Sequence, residues 1–374
     1  MPPIKVAIDS QIFCSQQYGG VSRYFARLAA ELLGQQQQVR VFAPLHCNHY
    51  LSELPADCVS GRMLPYCPPR SKRFLRPLNG LLSRGPIRDW GPDLVHESYY
   101  ATRGSAPSKT PVVVTVLDMI HEVHGESFSA LDNTSRTKRA AVERADHVIC
   151  ISENTRRDLL SLWGIAAEKT SVVYLGMDDF SPAFSNQPYV TSRGKPFLLY
   201  VANRSGYKNF TGLLQAYAMS GRIKNDFDLV VFGGGPFSRS EREVITGLGI
   251  DDASLIQLSG SDDLLASVYA GASAFVYPSF YEGFGLSPLE AMGQGCPVIS
   301  SNASCLPEVL GSAAEYFEPT STEMLRATME AVLYDQDRLD ALRSLGYERI
   351  RRFTWDSCAR ATLSVYQSVL GRTE

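Results

Sequence analysis

The sequence predicts an α/β protein made of two Rossmann-like domains, each built on a parallel sheet. Three observations predict this: short apolar strands alternate with helical patterns, the alternation breaks once near the middle, and 374 residues suit about two domains. Hydrophobic residues at 44% and charged residues at 20% are typical of a folded protein. The net charge of -3 argues against general nucleic-acid binding.

The first domain is predicted over residues 1–178. It opens with a buried strand, KVAID, and a helix, VSRYFARLAAELLG, whose apolar residues recur at helical spacing. Further strands are predicted at VRVFAP, LVHES, VVVTVLD and HVICIS, with helical patterns between several of them.

The alternation breaks over residues 179–195, which are polar and rich in Ser and Pro and are predicted to be a linker. The second domain, residues 196–352, has predicted strands at FLLYVAN, DLVVFGGG, SLIQLSG, AFVYPS and PVISS. Residues 353–374 are predicted to be a helix that crosses back to the first domain. Open parallel sheets bind ligands at the carboxyl ends of their strands, so the site is expected there.

The loop after the strand AFVYPS contains the most candidate site residues. Glu282 and Glu290 bracket a Gly-Phe-Gly turn, and Ser287 with Pro288 is predicted to begin a helix whose first N–H groups form an anion site. Ser287 and Glu290 also have the spacing of a capping box, so a capping role for Glu290 stays open. Alternatively, Glu282 is a solvated carboxylate on the loop without a binding role.

Two further loops carry candidate residues. Arg204 and Lys208 follow the strand FLLYVAN and precede a helix, an arrangement that suits a phosphate or pyrophosphate, although a solvated pair of charges would look the same. Gly19 and Gly20 lie between the first strand and the first helix, where the backbone could approach a ligand or simply make a tight turn. The spacing is not GxGxxG, so a nicotinamide cofactor is not supported.

Together these segments resemble the retaining group 1 glycosyltransferases, family 4 of the sequence classification. EGFGLSPLE resembles the family's E-x7-E motif, ANRSGYKN its Arg-and-Lys phosphate loop, and YGGV its N-terminal Gly loop. VVYLGMD and VFGGGP resemble its domain-joining segment and glycine-rich strand end. The resemblance spans nearly the whole chain and is weakest from residue 45 to 90.

The resemblance implies a GT-B fold, with two facing Rossmann-like domains, the donor mainly on the second and the acceptor on the first, and no essential metal. It implies Arg204 and Lys208 on the donor pyrophosphate, Glu282 on the transferred sugar and Glu290 on the ribose. The residues assigned to the chemistry are Arg204, Lys208 and Glu282; those assigned to donor binding are Gly20, Asp118, Gly283, Phe284, Gly285, Leu286 and Glu290.

The sequence departs from the family pattern at two places. Many members have His-Asp after the VVTV strand, whereas this chain has Leu117-Asp118, with His121 three residues later. Asp118, and less directly His121, could contact sugar or acceptor. The segment LSGSDDLL, residues 258–265, is shorter than the family's base-reading loop, which leaves the choice between uracil and guanine open.

The tract between Asp57 and Asp89 contains no acidic residue. Its apolar residues alternate with basic ones, namely Arg62, Arg70, Lys72, Arg73, Arg76, Arg84 and Arg88. This composition suits an anionic membrane or a lipid-pyrophosphate acceptor, and it equally suits a solvated helical hairpin. The eight cysteines form no CxxC pair, and no leader or membrane span is recognised, so free thiols and a cytoplasmic protein, peripheral at the inner membrane face, are expected.

The sequence therefore predicts a retaining hexosyltransferase that moves glucose or mannose from a nucleoside-diphosphate sugar, UDP-glucose or GDP-mannose, to a growing polysaccharide or lipid-linked glycan. No cofactor or metal is expected, and the histidine pairs His46/His49 and His121/His124 lack a complete ligand set. A nucleotide-sugar epimerase of the same fold and a non-catalytic sugar-nucleotide-binding protein are the alternatives.

Overall fold

The computed structural model describes residues 2–66, 72–178, 187–204 and 206–372. The chain forms two compact units, the first made of residues 1–123, 128–176 and 354–374, and the second of residues 124–127 and 177–353. The first eight residues of the predicted linker, 179–186, lie outside the described part, as do Arg70 of the basic tract and Ser205 of the phosphate loop. The extent of the linker therefore stays a prediction.

The first unit is built on a parallel sheet with the order β3-β2-β1-β4-β5-β6-β7 among the described residues. Its strands are β1 Lys5–Ile8, β2 Gln38–His46, β3 Val59–Met63, β4 Leu94–Glu97, β5 Val112–Val116, β6 His147–Cys150 and β7 Thr170–Val172. Its helices are α1 Gly20–Gly34, α2 Lys72–Leu82, α3 Arg84–Trp90, α4 Ile120–Val123, α5 Thr134–Arg144 and α6 Glu153–Trp163.

The second unit has its own parallel sheet, with the order β10-β9-β8-β11-β12-β13 among the described residues. Its strands are β8 Phe197–Val201, β9 Asp228–Phe232, β10 Leu255–Leu258, β11 Ala274–Tyr277, β12 Val298–Ser301 and β13 Ala314–Phe317. Its helices are α7 Phe210–Met219, α8 Gly221–Asp226, α9 Arg239–Gly247, α10 Asp262–Gly271, α11 Leu286–Gly293, α12 Leu306–Leu310, α13 Thr322–Leu333 and α14 Gln336–Ile350.

The last helix, α15 Trp355–Val369, belongs to the first unit. The buried Tyr366 on α15 hydrogen-bonds His96 of β4 at 2.6 Å, and Gln35 after α1 donates to Asp356. Gly176 leaves no space for a side chain, because an added Cβ would lie 2.5 Å from the backbone of Trp355. These contacts fix α15 against α1 and the first sheet.

Buried β-branched and aromatic residues explain the central strands. Every residue of β5, β8, β9 and β11 is buried, as expected for strands covered by helices on both faces. The predicted parallel α/β class with two sheets is therefore confirmed. In the described part of the chain, seven cysteines are free and buried, and no helix is long and apolar enough to cross a bilayer.

Candidate functional site

The candidate site of the second unit lies where the strand order of its sheet reverses. The chain runs from β8 outward through β9 to β10 and then returns to β11, which pairs with β8 on the other side. The loops after β8 and β11 therefore begin side by side at the carboxyl edge, where open α/β sheets bind ligands. One loop carries Arg204 and Lys208, and the other carries Glu282.

Lys208 and Glu282 form a direct ion pair. The Lys208 Nζ lies 2.6 Å from the Glu282 Oε1, and the two side chains are 13% and 8% exposed. The ammonium also lies over the rings of Tyr207 and Tyr277, at 5.2 and 5.6 Å from their centroids. The structure thus brings together two of the three residues that the sequence assigns to the chemistry.

The surroundings of Glu282 hold its carboxylate and its backbone. Burial raises the pKa of Tyr277 well above its usual value, and the negative charge of Glu282, with which the phenol hydrogen-bonds, adds to that shift. The backbone N–H of Glu282 donates to the Ser304 hydroxyl at 2.9 Å, and its carbonyl accepts from the Cys305 thiol. Glu282 is therefore a positioned group and not the solvated carboxylate of the alternative interpretation.

Arg204 is engaged with its own unit. Its side chain is 5% exposed, and its Nε donates to the Glu241 Oε1 at 2.5 Å. Its two terminal nitrogens donate to the carbonyls of Gly233, Gly234, Gly235 and Pro236 at 3.0 to 3.2 Å. The guanidinium lies 4.8 Å from the Phe237 ring centroid. The solvated-charge alternative is therefore wrong for Arg204, which organises the turn after β9.

This turn requires glycine. Gly233, Gly234 and Gly235 have φ of 94°, 69° and 68°, a region that side chains with a Cβ rarely adopt. A Cβ on Gly234 would in addition lie 2.5 Å from the Arg204 Nη1. The glycine-rich strand end thus follows from the positive φ of all three residues and, at Gly234, also from the close approach of the guanidinium.

Glu241 is a residue that the sequence analysis missed. It closes a capping box at the start of α9, in which the Ser238 hydroxyl accepts from the Glu241 N–H and the Glu241 carboxylate accepts from the Ser238 N–H. Burial acts to raise the pKa of Glu241, but hydrogen bonds from Arg204 and Ser238 outweigh it and lower that pKa below its usual 4.5. The Ser-x-x-Glu spacing at 238–241 is the sequence signal that could have found it.

Asn209 is a second missed residue, the last letter of ANRSGYKN. Its side-chain amide donates to the carbonyls of Pro278, after β11, and Pro319, after β13, at 3.1 and 3.0 Å. Its backbone is left-handed, with φ 53°, and it caps the start of α7 without a side-chain bond. Asn209 therefore ties the loop of Lys208 to the loop of Glu282.

The helix after the Glu282 loop begins at Leu286 and not at Ser287. Its N-cap is Gly285, at φ 95°, and no side chain caps it, so the Ser287–Glu290 capping box is not formed. A Cβ on Gly285 would lie 2.9 Å from the Leu306 side chain. Glu290 is half-buried in the second turn of α11, and the first turn contains no acidic side chain. The capping alternative for Glu290 is therefore wrong.

The segment that leads into α11 is packed. Gly283, Phe284 and Gly285 are buried, and the Phe284 ring meets the Phe353 ring edge to face at 5.5 Å. Leu286 is half-buried at the first helical position. The backbone beside Glu282 is thus held in one conformation, as a site for a phosphate or sugar requires.

Gly20 and Asp118, the other two predicted donor-binding residues, lie in the first unit. Gly20 is the first residue of α1, exposed, and an added Cβ would meet no atom within 4 Å, so the space above its backbone is open. At Gly19 a Cβ would lie 2.5 Å from the Gln16 side chain. The end of the Gln16 side chain thus covers Gly19, while Gly20 leaves its backbone accessible.

Asp118 is positioned by a buried lysine that the sequence analysis missed. Lys138 on α5 is 1% exposed; its Nζ donates to the Asp118 carbonyl at 2.8 Å and lies 3.6 Å from the Asp118 carboxylate. The same ammonium donates to Glu122 at 2.7 Å. His121 stacks on Phe128 at 3.9 Å and lies 3.9 Å from Asp132, contacts that a structural role explains.

The first sheet also has a reversal of strand order, between β1 and β4, and two carboxyl groups are buried there. Asp9 accepts hydrogen bonds from the Ser98 hydroxyl at 2.6 Å and its N–H at 2.9 Å, and burial raises its pKa. Burial, and then the charge of Asp9, raise the pKa of Glu97 to about 7, although the Arg144 guanidinium lies 2.6 Å away and opposes the shift. Neither group was predicted from the sequence.

Two further observations concern metal ligands and the loop that joins β10 to α10. In residues 2–66, 72–178, 187–204 and 206–372, no group of three or more His, Cys, Asp or Glu side chains is arranged to hold a metal ion. The segment that joins β10 to α10 consists of residues 259–261, with Ser261 capping the helix, so the short connection predicted from LSGSDDLL is present.

Two protein families and several known proteins are similar to this chain. Residues 18–179 match the family described as Glycosyltransferase Family 4, and residues 184–349 match Glycosyl transferases group 1. The chain is 30% identical over 241 residues to O-antigen chain mannosyltransferase B of Escherichia coli, an alignment of 61% of this chain and 62% of that protein. Coverage of a second mannosyltransferase is 57%, so the chain spans about three fifths of these relatives' length.

Solved structures show the same fold at lower identity. Sucrose-phosphate synthase from Thermosynechococcus elongatus has a TM-score of 0.75 and 20% identity, covering 98% of this chain and 99% of that chain. The Anabaena protein HepE in complex with UDP-glucose has a TM-score of 0.72 and 18% identity, covering 97% and 100%. These similarities confirm the GT-B fold that the sequence predicts.

Proposed function

We propose that this chain, which belongs to the group 1 glycosyltransferases, is a retaining hexosyltransferase that uses a nucleoside-diphosphate sugar. The sugar is glucose or mannose, and the donor is UDP-glucose or GDP-mannose. The likeness to an O-antigen mannosyltransferase supports mannose, and the likeness to a protein complexed with UDP-glucose supports a nucleotide-sugar donor. The acceptor is a growing polysaccharide or a lipid-linked glycan, and the reaction takes place in the cytoplasm.

The observation that carries this proposal is the Lys208–Glu282 pair at the reversal of the second sheet. Breaking a glycosyl-diphosphate bond leaves negative charge on the departing diphosphate, and a preorganised cation in a water-poor site stabilises that charge. Lys208 is such a cation, since it is 13% exposed and held at 2.6 Å from Glu282. We assign Lys208 to the leaving diphosphate.

The start of α11 adds a second source of positive potential. Its N-cap has no capping side chain, and the partial positive charge of a helix N-terminus favours an anion. The backbone of Gly283, Phe284, Gly285 and Leu286 is assigned to the sugar and the phosphate. Glu282 accepts from hydroxyls of the transferred sugar, and Glu290, one turn further along α11, accepts from the ribose hydroxyls.

Arg204 acts on the donor through the turn that it holds. Its Nε and Nη2 donate to Glu241 and to the carbonyls of residues 234–236, and its Nη1 donates to the Gly233 carbonyl, so a direct bond to the pyrophosphate would compete with these contacts. We therefore assign Arg204 a positioning role for the turn after β9. In the first unit, Gly20 is assigned to the donor phosphate, and Asp118, oriented by Lys138, to the sugar or the acceptor.

No metal takes part in the proposed reaction. The charge of the leaving diphosphate is balanced by Lys208 and by the start of α11, which do the work that a divalent cation does in other transferases. Turnover is therefore expected to continue in EDTA. Loss of activity in EDTA that returns with magnesium or manganese would contradict this part of the proposal.

The test is a donor assay on the purified full chain. UDP-glucose and GDP-mannose are incubated in EDTA with and without a polysaccharide or lipid-linked acceptor extract, and both nucleoside diphosphate and labelled glycan are measured. The proposal predicts sugar transfer that depends on acceptor for one of the two donors. Epimerised sugar without transfer would indicate an epimerase, and binding without turnover a non-catalytic protein; either result overturns the proposal.

A further inference from the structure

Helix α2 of the first unit turns its apolar side chains to solvent. Phe74 and Leu81 are 78% and 65% exposed, and Leu78 and Leu82 are 43% and 45% exposed. Their positions, i, i+4, i+7 and i+8, form one stripe along the helix. Single exposed apolar residues are ordinary on proteins, but a contiguous stripe is not.

The inner face of the same helix is held by polar contacts. The side chain of Asn79 is fully buried; its Oδ1 accepts from the Leu45 N–H at 2.7 Å, and its Nδ2 donates to the Leu45 carbonyl at 3.0 Å. These bonds join α2 to the irregular end of β2, where the register with β3 shifts. Arg76 adds a bond of 2.7 Å from its Nε to the Ser15 hydroxyl. Because these contacts fix the rotation of α2, the apolar stripe is held outward.

The following helix, α3, anchors the segment from the other side. Ile87 is fully buried in a cluster with Ala7, Phe42 and Val95, and Trp90 packs against the same cluster. Segment 72–90 is therefore part of the fold, and its exposed stripe is not the result of a loosely attached hairpin. The side chains of Lys72 and Arg73 lie outside the described set.

The segment that carries the stripe is rich in basic residues. No acidic residue occurs from 58 to 88, and Arg62 and Arg84 have exposed side chains on either side of α2 in the sequence. Arg88 is 73% exposed beside Asp89. The chain as a whole has a net charge of -3, so this surface is a local positive excess. Two copies of the chain packed through this face would bring like charges together, which disfavours self-association.

We propose that the outer face of α2, defined here as Phe74, Leu78, Leu81 and Leu82, docks the protein on an anionic bilayer together with the exposed Arg62 and Arg84, which flank α2 in the sequence. An interfacial helix lies in the plane of the membrane and buries its apolar side roughly 5–10 Å deep. The 11 residues of α2 span roughly 16 Å, enough to place all four apolar side chains at the surface together. Nearby basic residues add attraction to anionic headgroups that weakens with salt.

The experiment is co-sedimentation of the full chain with vesicles of phosphatidylcholine alone or with phosphatidylglycerol, at low and high salt. The wild-type protein is expected to sediment with phosphatidylglycerol vesicles at low salt and to be released at high salt. Phe74→Ser/Leu81→Ser should weaken binding by roughly 100-fold or more, since burial of each side chain contributes at least about a tenfold gain. Arg62→Gln/Arg84→Gln should weaken it by roughly 30-fold on phosphatidylglycerol.

The matched control is Leu131→Ser/Leu162→Ser, which removes two exposed leucines of the same unit, 90% and 48% exposed, and should bind vesicles like the wild type. Equal sedimentation of the Phe74/Leu81 variant and the wild type overturns the proposal. So does wild-type protein that ignores phosphatidylglycerol vesicles at low salt, or that binds only when a polyprenyl phosphate is present. A dimer in sedimentation velocity that the Phe74/Leu81 substitutions dissociate would assign this face to a second copy instead. Turnover on a soluble acceptor should be unchanged in each variant, which keeps this test separate from that of the transferase activity.

Discussion

The Lys208–Glu282 pair makes different predictions for stability and for turnover. Lys208→Met leaves a carboxylate of 8% exposure without its cation, and Glu282→Gln leaves an ammonium of 13% exposure without its anion. Removing one partner of a buried pair costs about 3–5 kcal/mol. The double variant Lys208→Met/Glu282→Gln buries no unpaired charge. Its loss in the free energy of unfolding should therefore be smaller than the sum of the two single losses, by about 2–3 kcal/mol.

The turnover number of these variants should not follow their stability. If Lys208 stabilises the leaving diphosphate, its loss lowers kcat on the order of 100- to 1,000-fold, and the double variant stays as inactive as Lys208→Met although its stability returns. Urea denaturation gives the free energies of unfolding, and release of nucleoside diphosphate gives kcat.

The control pair is Arg338–Glu315 in the same unit, at 2.7 Å with side chains 37% and 34% exposed. Arg338→Met should cost less than about 1 kcal/mol and leave turnover unchanged. A double variant with near-normal kcat would refute the leaving-group role of Lys208. A double variant whose loss equals the sum of the single losses would refute the structural pairing.

Three further predictions follow from the other contacts. Arg204→Lys and Glu241→Gln should both raise KM for the donor, and Arg204→Ala should also lower the melting temperature, because the turn 233–236 loses its organising cation; unchanged KM in Arg204→Lys and Glu241→Gln would contradict the positioning role. Glu290→Gln keeps the size of the side chain and one carbonyl acceptor, so stability should change little, whereas calorimetry should show donor binding weakened by roughly 10-fold, as loss of a bond to a charged group does; an unchanged Kd would exclude the ribose contact. Glu97, whose pKa is raised from 4.5 to about 7, binds more protons in the folded than in the unfolded chain, so the stability that it contributes falls as pH rises from about 5 to 7. In Glu97→Gln, the drop in the free energy of unfolding between pH 5 and 8 should therefore be smaller than in the wild type by about 3 kcal/mol. An identical drop in both proteins would show that Glu97 does not titrate in that range.

The central strands could be predicted from the sequence because a strand that is buried on both faces forms a continuous apolar run, which the local sequence shows directly. The runs FLLYV and VVVTV are apolar throughout, as strands with helices on both faces must be. The strands β3, β7 and β13 were missed, since VSGRM, TSV and AEYF lie at sheet edges or near them, where exposed and polar residues are tolerated.

The members of the site could also be predicted, but not their pairing. Lys208 and Glu282 are 74 residues apart and meet because β8 and β11 are neighbours in the sheet, an order that local patterns do not contain. Arg204 was expected on a phosphate because a loop cation without a known partner looks available. Its partner, Glu241, lies 37 residues away across the turn after β9.

The two Ser-x-x-Glu segments show how far a local motif decides structure. Ser238 and Glu241 form the capping box of α9. Ser287 and Glu290 have the same spacing, yet left-handed Gly285 begins α11 earlier and places Ser287 inside the first turn. A glycine with positive φ thus decided which of two identical spacings became a cap.

The most direct test of the account is the position of bound UDP or GDP in a crystal structure of this chain. The account predicts that a β-phosphate oxygen lies within about 3 Å of the Lys208 Nζ, and that the diphosphate contacts the backbone N–H groups at the start of α11. A diphosphate bound elsewhere on the chain, with Lys208 still bonded to Glu282 alone, would contradict it.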